Sequence, residues 1–551
     1  MTEIEDVDVL ILGAGINGAG VFRDLCEQGL TCVISDKADF GSGTSAAPSR
    51  LIHGGIKYLE TGEFRLVAQS TLERNLLLKN APHSVSRLPT VIPIFSWFKG
   101  IPAALRTLFG STTAPRSRGA LLMKIGLALY DFYGSRHRMM PRHSLWSKAR
   151  ALATIPALTP RIVAAGLYYD AKISHPERLV LELIEDGLRA NAASRALNYT
   201  RIGRTDGQVI VLVDEEGNEQ RIRPRLVINA AGPWIDRVNQ DLGLVSRLIG
   251  GTKGSHILLD HPELIATLGG RMIYFEADDG RICLVFDYLG KALVGSTDIR
   301  DDDPDQVTCS DAEIDYLLQS LSSLLPGLSF NRSQIVYTYA GIRPLPASDS
   351  TAPGLISRDH SAPVIEAEGE RGWPIVSLVG GKWTTFRGFA EEVTDMVLAR
   401  LGQKRGISTE SLPIGGGRGF PRDSERPQWL DMACARTGAD RGRADTLLSR
   451  YGTTALAILQ AEGKTALMLA DAEDYSFDEL AWITDNEQVA HLDDLLLRRT
   501  ALAITGRLSA RDLEAIATRM AAKKGWSAAR LAEELNATRA RLATRHGVSL
   551  A

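Results

Sequence analysis

Short apolar runs near the N-terminus flank one segment with helical spacing. Residues 7–12, VDVLIL, and residues 30–36, LTCVISD, are apolar and rich in residues that favour strands. Between them, GINGAGVFRDLCEQG has apolar residues at helical spacing and ends at Gly29. A strand, a helix and a second strand in this order form a βαβ unit, so the pattern predicts a parallel sheet.

The hydrophobic pattern changes character along the rest of the chain. The segment FRLVAQSTLERNLLLKN predicts a charged helix, and residues 160–345 alternate short strands with helices, with a hairpin turn at EEGNEQ. Residues 364–400 return to a strand, a glycine turn and a helix.

The Gly/Pro-rich stretch LPIGGGRGFPRD is expected to be a linker. Leucines and alanines at helical spacing over residues 420–551 predict a helical bundle without a catalytic constellation, in which Ser509 is an expected N-cap.

Length and composition indicate a multidomain globular protein. The chain has 551 residues, which suits two or three domains, and 44% of them are apolar. Its formal net charge of −3 predicts neither a nucleic acid nor an acidic partner. The apolar runs are too short to span a bilayer, and the acidic N-terminus argues against a signal peptide.

The cysteines indicate a reducing compartment. Their number is odd and they form no CxxC pair, which argues against a zinc site or a disulfide framework. We therefore expect no metal and a cytoplasmic location. The cysteines are Cys26, Cys32, Cys283, Cys309 and Cys434.

A glycine motif follows the first predicted strand directly. Gly13, Gly15 and Gly18 form GxGxxG, in which the first glycine allows a tight turn and the second lets the backbone approach a pyrophosphate. The third glycine lets helix and strand pack closely, and the helix N-terminus offers free N–H groups to phosphates. Asp36 ends the second strand, where an acidic residue binds ribose hydroxyls. Together these features predict a dinucleotide site.

The glycine motif alone does not separate FAD from NAD. The sequence contains one such motif, so no second site for a nicotinamide cofactor is predicted. In VSLVGGKWTTFRGFAEE, Gly380 and Gly381 open another helix, and a helix N-terminus can stabilise negative charge on a reduced flavin ring. Both observations favour FAD.

Six further sequence motifs occur along the chain, and together their order is specific enough to identify a similar protein family. They are TSAAPSRLIHGGIKYLETGEFRLV (44–67), VINAAGPWID (227–236), GTKGSHILL (251–259), GSTD (295–298), YAGIRPL (339–345) and GGKWTTFR (380–387). Together with the N-terminal GAGINGAG they resemble the FAD-dependent glycerol-3-phosphate dehydrogenases. The resemblance covers roughly residues 5–400 and is weaker beyond, where YGT and DDLLLRRT also match.

The resemblance implies a fold with three parts. We expect α/β and α+β architecture, in which a Rossmann-like FAD-binding domain is interleaved with a mixed-sheet substrate domain and followed by a C-terminal helical domain. The predicted ranges are 1–80, 160–235 and 340–405 for the FAD-binding and interleaved segments, 81–159 and 236–339 for the substrate domain, and 420–551 for the helical domain.

The resemblance also implies a reaction. Family members oxidise sn-glycerol 3-phosphate to dihydroxyacetone phosphate by hydride transfer from C2 to FAD, and electrons usually pass on to a quinone. The implied partners are a small phosphorylated polyol and a quinone or another electron acceptor. Peripheral contact with the inner face of the cell membrane and a homodimer are open hypotheses.

The reaction needs a base near the C2 hydroxyl, because that hydroxyl loses its proton as the hydride leaves. His53 and His256 are the candidates, since histidine can titrate near neutral pH. His53 follows the predicted flavin-side loop, and the resemblance points the same way, so His53 is preferred. The alternative is a structural histidine bonded to backbone or flavin.

A phosphate dianion in a dehydrated pocket needs fixed cations. Arg343 is the best candidate and is expected to contact both the phosphate and the reacting oxygen, while Lys382 follows the glycine turn near the flavin. Lys57 and Tyr58 come shortly after His53 and are further candidates. The predicted cofactor contacts are Gly13, Gly15, Asn17, Gly18, Asp36, Thr44, Ser45, Gly232, Gly381 and Thr384.

Several residues depart from the family pattern. Lys57 stands where the family commonly has arginine, and lysine cannot make the bidentate contact of arginine with phosphate. Pro48 stiffens the loop, Asp36 replaces a usual glutamate, and Trp383 and Phe386 replace an aliphatic residue and a tyrosine. The changes at Lys57, Pro48, Trp383 and Phe386 are expected near the substrate pocket, and they keep open a longer polyol phosphate, such as erythritol phosphate, as the substrate. A non-catalytic flavoprotein is the hypothesis from a different class.

Residues 97–143 are basic and rich in aromatic side chains. They contain eight Lys or Arg residues and one acid, Asp131. Such a segment can bind a membrane surface, because cations attract anionic headgroups and aromatic rings settle at the interface. The alternative, an insertion in the substrate domain with a solvated basic face, is preferred because MKIGLALYDFYG resembles an interior helix of the family.

Overall fold

A computed structural model describes residues 3–59, 62–97, 119–301, 303–347 and 359–550. The strands in this part of the chain are β1 (Ile4–Leu12), β2 (Cys32–Ser35), β3 (Leu51–Ile52), β4 (Val85–Ile94), β5 (Ser144–Ser147), β6 (Ala164–Ile173), β7 (Arg195–Leu197), β8 (Thr200–Asp206), β9 (Val209–Asp214), β10 (Glu219–Asn229), β11 (Ile249–Leu259), β12 (Met272–Glu276), β13 (Ile282–Tyr288), β14 (Lys291–Gly295), β15 (Ile299–Arg300), β16 (Ile335–Pro346), β17 (Val364–Ile365) and β18 (Ile375–Ser377).

The helices of the same residues fall into two groups, one among the strands and one after them. The first group is α1 (Ile16–Glu27), α2 (Phe64–Asn80), α3 (Ala120–Tyr133), α4 (Lys148–Thr154), α5 (Pro176–Ala190), α6 (Ile235–Asp241), α7 (Pro262–Leu268), α8 (Asp311–Leu324) and α9 (Phe386–Arg400). The second group is α10 (Arg426–Thr437), α11 (Arg441–Tyr451), α12 (Ala455–Glu462), α13 (Phe477–Asn486), α14 (Leu492–Asp494) with a π-helical continuation (Leu495–Arg499), α15 (Ala510–Lys524) and α16 (Ala528–His546).

The first sheet confirms the predicted parallel βαβ unit. Its order is β17-β18-β10-β1-β2-β7, and β1 pairs in parallel with both β10 and β2. Both faces of β1 are covered, so Val9, Leu10 and Ile11 are fully buried, as the continuous apolar run requires. The hairpin β9–β10 forms at the predicted turn.

The second sheet is mixed, as expected for the substrate part of the fold. Its order is β15-β11-β14-β13-β12-β4-β6-β3, with β16 paired to β11 and β5 paired to β6. Most neighbours are antiparallel, but β12 and β4 are parallel. The two sheets take their strands from alternating parts of the chain, while the residue limits of the domains stay a prediction.

The C-terminal helices pack together and against the second sheet. Leucines at helical spacing on α11, α14 and α15 form the core, as predicted, and Ser509 caps α15 by accepting a hydrogen bond from the backbone of Asp512. Leu258 and Tyr337 of the second sheet belong to the same buried cluster. Among the described residues, no helix combines the length and the apolar composition that crossing a bilayer requires.

The Gly/Pro-rich stretch differs from the predicted linker. A Cβ on Gly416 would lie 2.0 Å from the carbonyl oxygen of Tyr451, and a Cβ on Gly417 would lie 2.3 Å from that of Asn80. Both glycines are buried. The glycines therefore serve close backbone packing between the two parts of the molecule rather than a loose connection.

The basic aromatic segment falls partly outside the described residues, since 98–118 are not among them. The described remainder contains α3, which confirms the helical spacing of MKIGLALYDFYG. One face of α3 is buried through Met123, Leu127 and Tyr130. The opposite face is exposed.

Candidate functional site

The turn between β1 and α1 depends on glycine. Gly13 has a φ of +104°, and a Cβ there would lie 2.6 Å from the carbonyl oxygen of Ala230. A Cβ on Gly18 would lie 2.0 Å from the carbonyl oxygen of Gly13. No larger residue fits at either position, so the N-terminus of α1 is held against the ends of β1 and β10.

The carboxylate of Asp36 lies beside this turn. It accepts hydrogen bonds from the backbone N–H groups of Ala14, at 2.7 Å, and Ala38, at 3.0 Å. Burial raises the pKa of Asp36 to about 6, even though both N–H groups favour the charged form. Ser45 also reaches the turn, where its Oγ accepts a hydrogen bond from the backbone of Ile16.

A cavity of about 1660 Å³ begins at this turn and extends between the two sheets. It brings together nearly all of the site residues predicted from the sequence: Gly13, Gly15, Asn17, Asp36, Thr44, Ser45, His53, Lys57, Tyr58, Gly232, His256, Arg343, Gly381, Lys382 and Thr384. Gly18 does not line the cavity, because it packs against Gly13 behind the turn.

One wall of the cavity is a row of residues in register across the second sheet. Tyr274 of β12 pairs with Leu284 of β13, which pairs with Gly295 of β14. Gly295 pairs with His256 of β11, which pairs with Tyr339 of β16. A Cβ on Gly295 would lie 2.1 Å from the ring of His256, so this glycine makes room for the imidazole.

His256 is a buried, neutral histidine. Its Nε2 lies 2.8 Å from Ser49 Oγ, and its ring stacks on Tyr339 with centroids 4.7 Å apart. Burial, followed by the positive charges of Arg343 and Arg50, lowers the pKa of His256 to about 3. Its Nδ1 is buried and has no hydrogen-bond partner among the described residues.

His53 also lines the cavity and lies in a turn whose backbone is held by other side chains. Its N–H donates to Thr384 Oγ1 at 3.3 Å, and its carbonyl oxygen accepts from Lys382 Nζ at 3.3 Å. Lys382 also donates to Ser70 Oγ and lies 4.8 Å from the centre of the Tyr58 ring. The contacts explain how the motifs around residues 53 and 382, far apart in sequence, meet in one place.

Arg343 is half-buried at the far end of the cavity wall. Its guanidinium donates to Asp298 Oδ1 at 3.0 Å and to Ser296 Oγ at 3.0 Å. It also donates to the carbonyl oxygen of Thr297. The GSTD motif therefore supplies partners to the arginine of YAGIRPL, a pairing that sequence analysis did not predict.

The residues at the turn fit FAD by their chemistry. The glycines leave a cradle beside α1, and Asp36 offers a carboxylate to ribose hydroxyls. Asn17 Oδ1 is buried and has no hydrogen-bond partner within the described part of the chain, while its Nδ2 lies 3.4 Å from the carbonyl oxygen of Gly380. An unpaired acceptor beside the second glycine turn suits a donor on a bound flavin ring.

The C-terminal part contributes residues that sequence analysis missed. Two arginines of α16, Arg541 and Arg545, line the cavity, and Arg545 donates to the carbonyl oxygens of Val307 and Asp305. His546 stacks on Tyr337 with centroids 4.4 Å apart. Among the sequence motifs, DDLLLRRT was the one that pointed to a role for the C-terminal part in the site. Its Arg498 also lines the cavity.

Comparison with known proteins agrees with this geometry. Residues 8–387 match a family described as FAD dependent oxidoreductase, and residues 407–531 match the C-terminal domain of alpha-glycerophosphate oxidase. A glycerol-3-phosphate dehydrogenase of Synechocystis sp. is 32% identical over 524 residues, which is 90% of this chain and 89% of the relative. A D-erythritol 1-phosphate dehydrogenase of Brucella abortus is 28% identical, over 91% of this chain and 95% of the relative.

A solved structure shares the fold over nearly the full length. The glycerol-3-phosphate dehydrogenase from Bacillus halodurans complexed with FAD has a TM-score of 0.74 and 23% identity, covering 98% of this chain and 95% of that chain. The family match covers more than half of the chain described here, and the Synechocystis relative extends over nine-tenths of it. This chain therefore belongs to the FAD-dependent oxidoreductase family, in the group of glycerol-3-phosphate dehydrogenases, and its cofactor is FAD.

Proposed function

We propose that this enzyme oxidises sn-glycerol 3-phosphate to dihydroxyacetone phosphate and passes the electrons to a quinone. The observation that carries the proposal is that His53, Lys382 and Arg343 line the same cavity as the glycine turn of α1. A base and fixed cations beside a dinucleotide cradle suit a phosphorylated alcohol. Glycerol-3-phosphate dehydrogenases of Synechocystis sp. and Pseudomonas tolaasii, at 32% and 31% identity, support the choice of substrate.

The cofactor residues divide between the two ends of FAD. Gly13 and Gly15 would hold the pyrophosphate at the N-terminus of α1, and Asp36 would accept hydrogen bonds from the ribose. Asn17, Thr384 and the turn at Gly381 would surround the flavin ring. When bound there, FAD supplies the hydride acceptor.

His53 is the better candidate for the base. A group that takes a proton at neutral pH works best with a pKa near 7, and His256 has a pKa of about 3. His256 also contacts Ser49 and Tyr339 and lies between the charges of Arg343 and Arg50. We therefore assign His53 to the C2 hydroxyl and His256 to the cavity wall.

The phosphate would be held by cations from both walls. Lys382 and Lys57 lie on the side of His53, and Tyr58 can add a hydroxyl donor. Arg343 lies on the second sheet, where Asp298 offsets part of its charge. An arginine with a fixed carboxylate partner presents its guanidinium in one orientation, which suits contact with the reacting oxygen as well as with the phosphate.

The exposed face of α3 favours the membrane-surface alternative for the basic aromatic segment. Leu121, Ile125, Leu129 and Phe132 share this face, and Ile125 and Phe132 are 51% and 68% exposed. Lys124 is exposed on the same helix, and more basic residues follow it. Apolar side chains flanked by cations fit the surface of an anionic bilayer, where a quinone would be found.

The first prediction concerns the affinity for FAD. Because protonation below about pH 6 removes the charge of Asp36, the ribose loses an ionised acceptor, and the Kd for FAD should rise by up to about tenfold between pH 7.5 and pH 5. Titration of the apoprotein with FAD, followed by flavin fluorescence, measures this. Asp36→Asn should bind weakly at every pH, and an equally steep pH dependence in that variant would contradict the assignment.

The second prediction concerns the substrate. With an artificial dye as acceptor, kcat/KM should be about tenfold or more higher for glycerol 3-phosphate than for erythritol phosphate, because an extra hydroxyl buried without a partner costs about 1–3 kcal/mol. Free glycerol should be inactive, since it lacks the dianion. A higher kcat/KM for a tetritol phosphate would contradict the proposed substrate but not the proposed hydride transfer to FAD. That substrate class would match the one named for the Brucella abortus relative, a D-erythritol 1-phosphate dehydrogenase.

The third prediction concerns the base. His53→Gln should retain FAD but lose flavin reduction by glycerol 3-phosphate by about a hundredfold or more, because general-base catalysis contributes about 10²–10⁴-fold. Stopped-flow bleaching of the flavin measures the rate. The matched control is His143→Gln, which alters a histidine paired with Asp131 outside the cavity. Reduction of the His53 variant at the wild-type rate across the pH range would transfer the role to His256.

The fourth prediction concerns the membrane. The enzyme should float with vesicles that contain anionic lipid, and Ile125→Ser with Phe132→Ser should reduce the bound fraction about tenfold or more, since burying each side chain contributes about 1.5–3 kcal/mol. The control pair is Val245→Ser with Leu467→Ser, two exposed apolar residues elsewhere. Equal flotation of both double variants would rule out α3 as the contact surface.

A further inference from the structure

A closed hydrogen-bonded network lies beneath the turn that contains His53. The hydroxyl of Tyr130 donates to Asp170 Oδ1 and accepts from Arg74 NH1 at 2.9 Å. Arg74 also donates to Asp170 at 3.1 Å and to the carbonyl oxygen of Tyr169 at 3.0 Å. The side chains of Arg74 and Asp170 are each 2% exposed, so their ion pair is shielded from water.

The network ends on the backbone of the residue next to His53. The N–H of Gly54 donates to Tyr130 Oη at 2.9 Å and to Asp170 Oδ1 at 3.1 Å. The Tyr130 hydroxyl thus uses its one donor and both of its acceptor sites. Burial, with the adjacent charge of Asp170, raises the pKa of Tyr130 well above its usual value, so the hydroxyl stays protonated.

The turn is fixed from two sides. Tyr130 and Asp170 hold Gly54 from below, while Thr384 and Lys382 hold the backbone of His53 from the other side. A Cβ on Gly54 would lie 2.4 Å from Tyr130 Oη, so the backbone sits directly on the hydroxyl. These four side chains contact main-chain atoms of the turn, so they fix the backbone that carries the His53 side chain, and His53 lines the cavity.

We propose that Tyr130, with Asp170 and Arg74 behind it, is a positioning residue for His53. The inference rests on the proposed role of His53 as the base. A proton transfer in step with hydride loss needs the imidazole at a fixed distance from the C2 hydroxyl, and a displacement of about 1 Å can cost 10²-fold in rate. Because Tyr130 belongs to α3, it also links the backbone of the turn to the helix with the exposed apolar face.

The test is Tyr130→Phe, which removes only the hydroxyl and leaves Arg74 paired with Asp170. Tyr133→Phe on the same helix is the matched control, because Tyr133 stacks on Phe64 and lies outside the network. In Tyr130→Phe, amide hydrogen exchange in residues 51–57 should be about tenfold faster, as expected for the loss of one buried hydrogen bond. FAD content should match the wild type, and kcat should fall about tenfold with KM for glycerol 3-phosphate unchanged.

The same substitution in the His53→Gln variant separates positioning from general damage. If Tyr130 acts through His53, it should lower the residual rate of that variant by less than about twofold, because coupled residues are non-additive. Unchanged amide exchange in residues 51–57, or a full tenfold loss in the His53→Gln background, would overturn the inference. If no polyol phosphate reduces the wild-type flavin, the proposed function fails, and the exchange measurement alone then decides whether Tyr130 holds the turn.

Discussion

The close approach of backbone atoms at Gly13 and Gly18 is the constraint on which the site depends. Each lacks a side chain where one would collide with a carbonyl oxygen, of Ala230 and of Gly13 respectively. This contact draws the N-terminus of α1 over the carboxyl ends of β1 and β10, where the helix dipole favours an anion. The cavity, the cofactor cradle and the position of Asp36 all follow from that arrangement.

The second sheet completes the site by adding polar and charged side chains to the cavity wall, among them His256, Tyr339 and Arg343. Burial, followed by the guanidinium charge of Arg343, lowers the pKa of His256. Keeping His256 neutral avoids a further buried positive charge beside those of Arg343 and Arg50. The carboxylate of Asp298, 3.0 Å from the guanidinium of Arg343, offsets part of the positive charge of that arginine.

The helical domain is tied to the cofactor side of the molecule by a buried ion cluster. Asp39 accepts hydrogen bonds from Arg498 and from both terminal nitrogens of Arg499, at 2.7 and 2.8 Å. Burial alone would raise the pKa of Asp39, but the two arginines hold it well below its usual range. Asp39 lies three residues after Asp36, in the loop that lines the cavity. Removing one partner of the buried ion pair would therefore cost about 3–5 kcal/mol and loosen this loop.

The sequence by itself determined the features that depend on nearby residues. The βαβ unit, the glycine turn, Asp36 and the helices follow from periodicity and spacing, so they could be predicted. The family resemblance supplied His53, Arg343 and Lys382, which line the cavity. Tertiary structure alone decided the row from Tyr274 to Tyr339, the pairing of Arg343 with Asp298, and the network beneath His53. Gly54 and Tyr130 are 76 positions apart, and Gly54 and Asp170 are 116 apart. Such contacts depend on strand order and register across the whole fold, which no local pattern encodes.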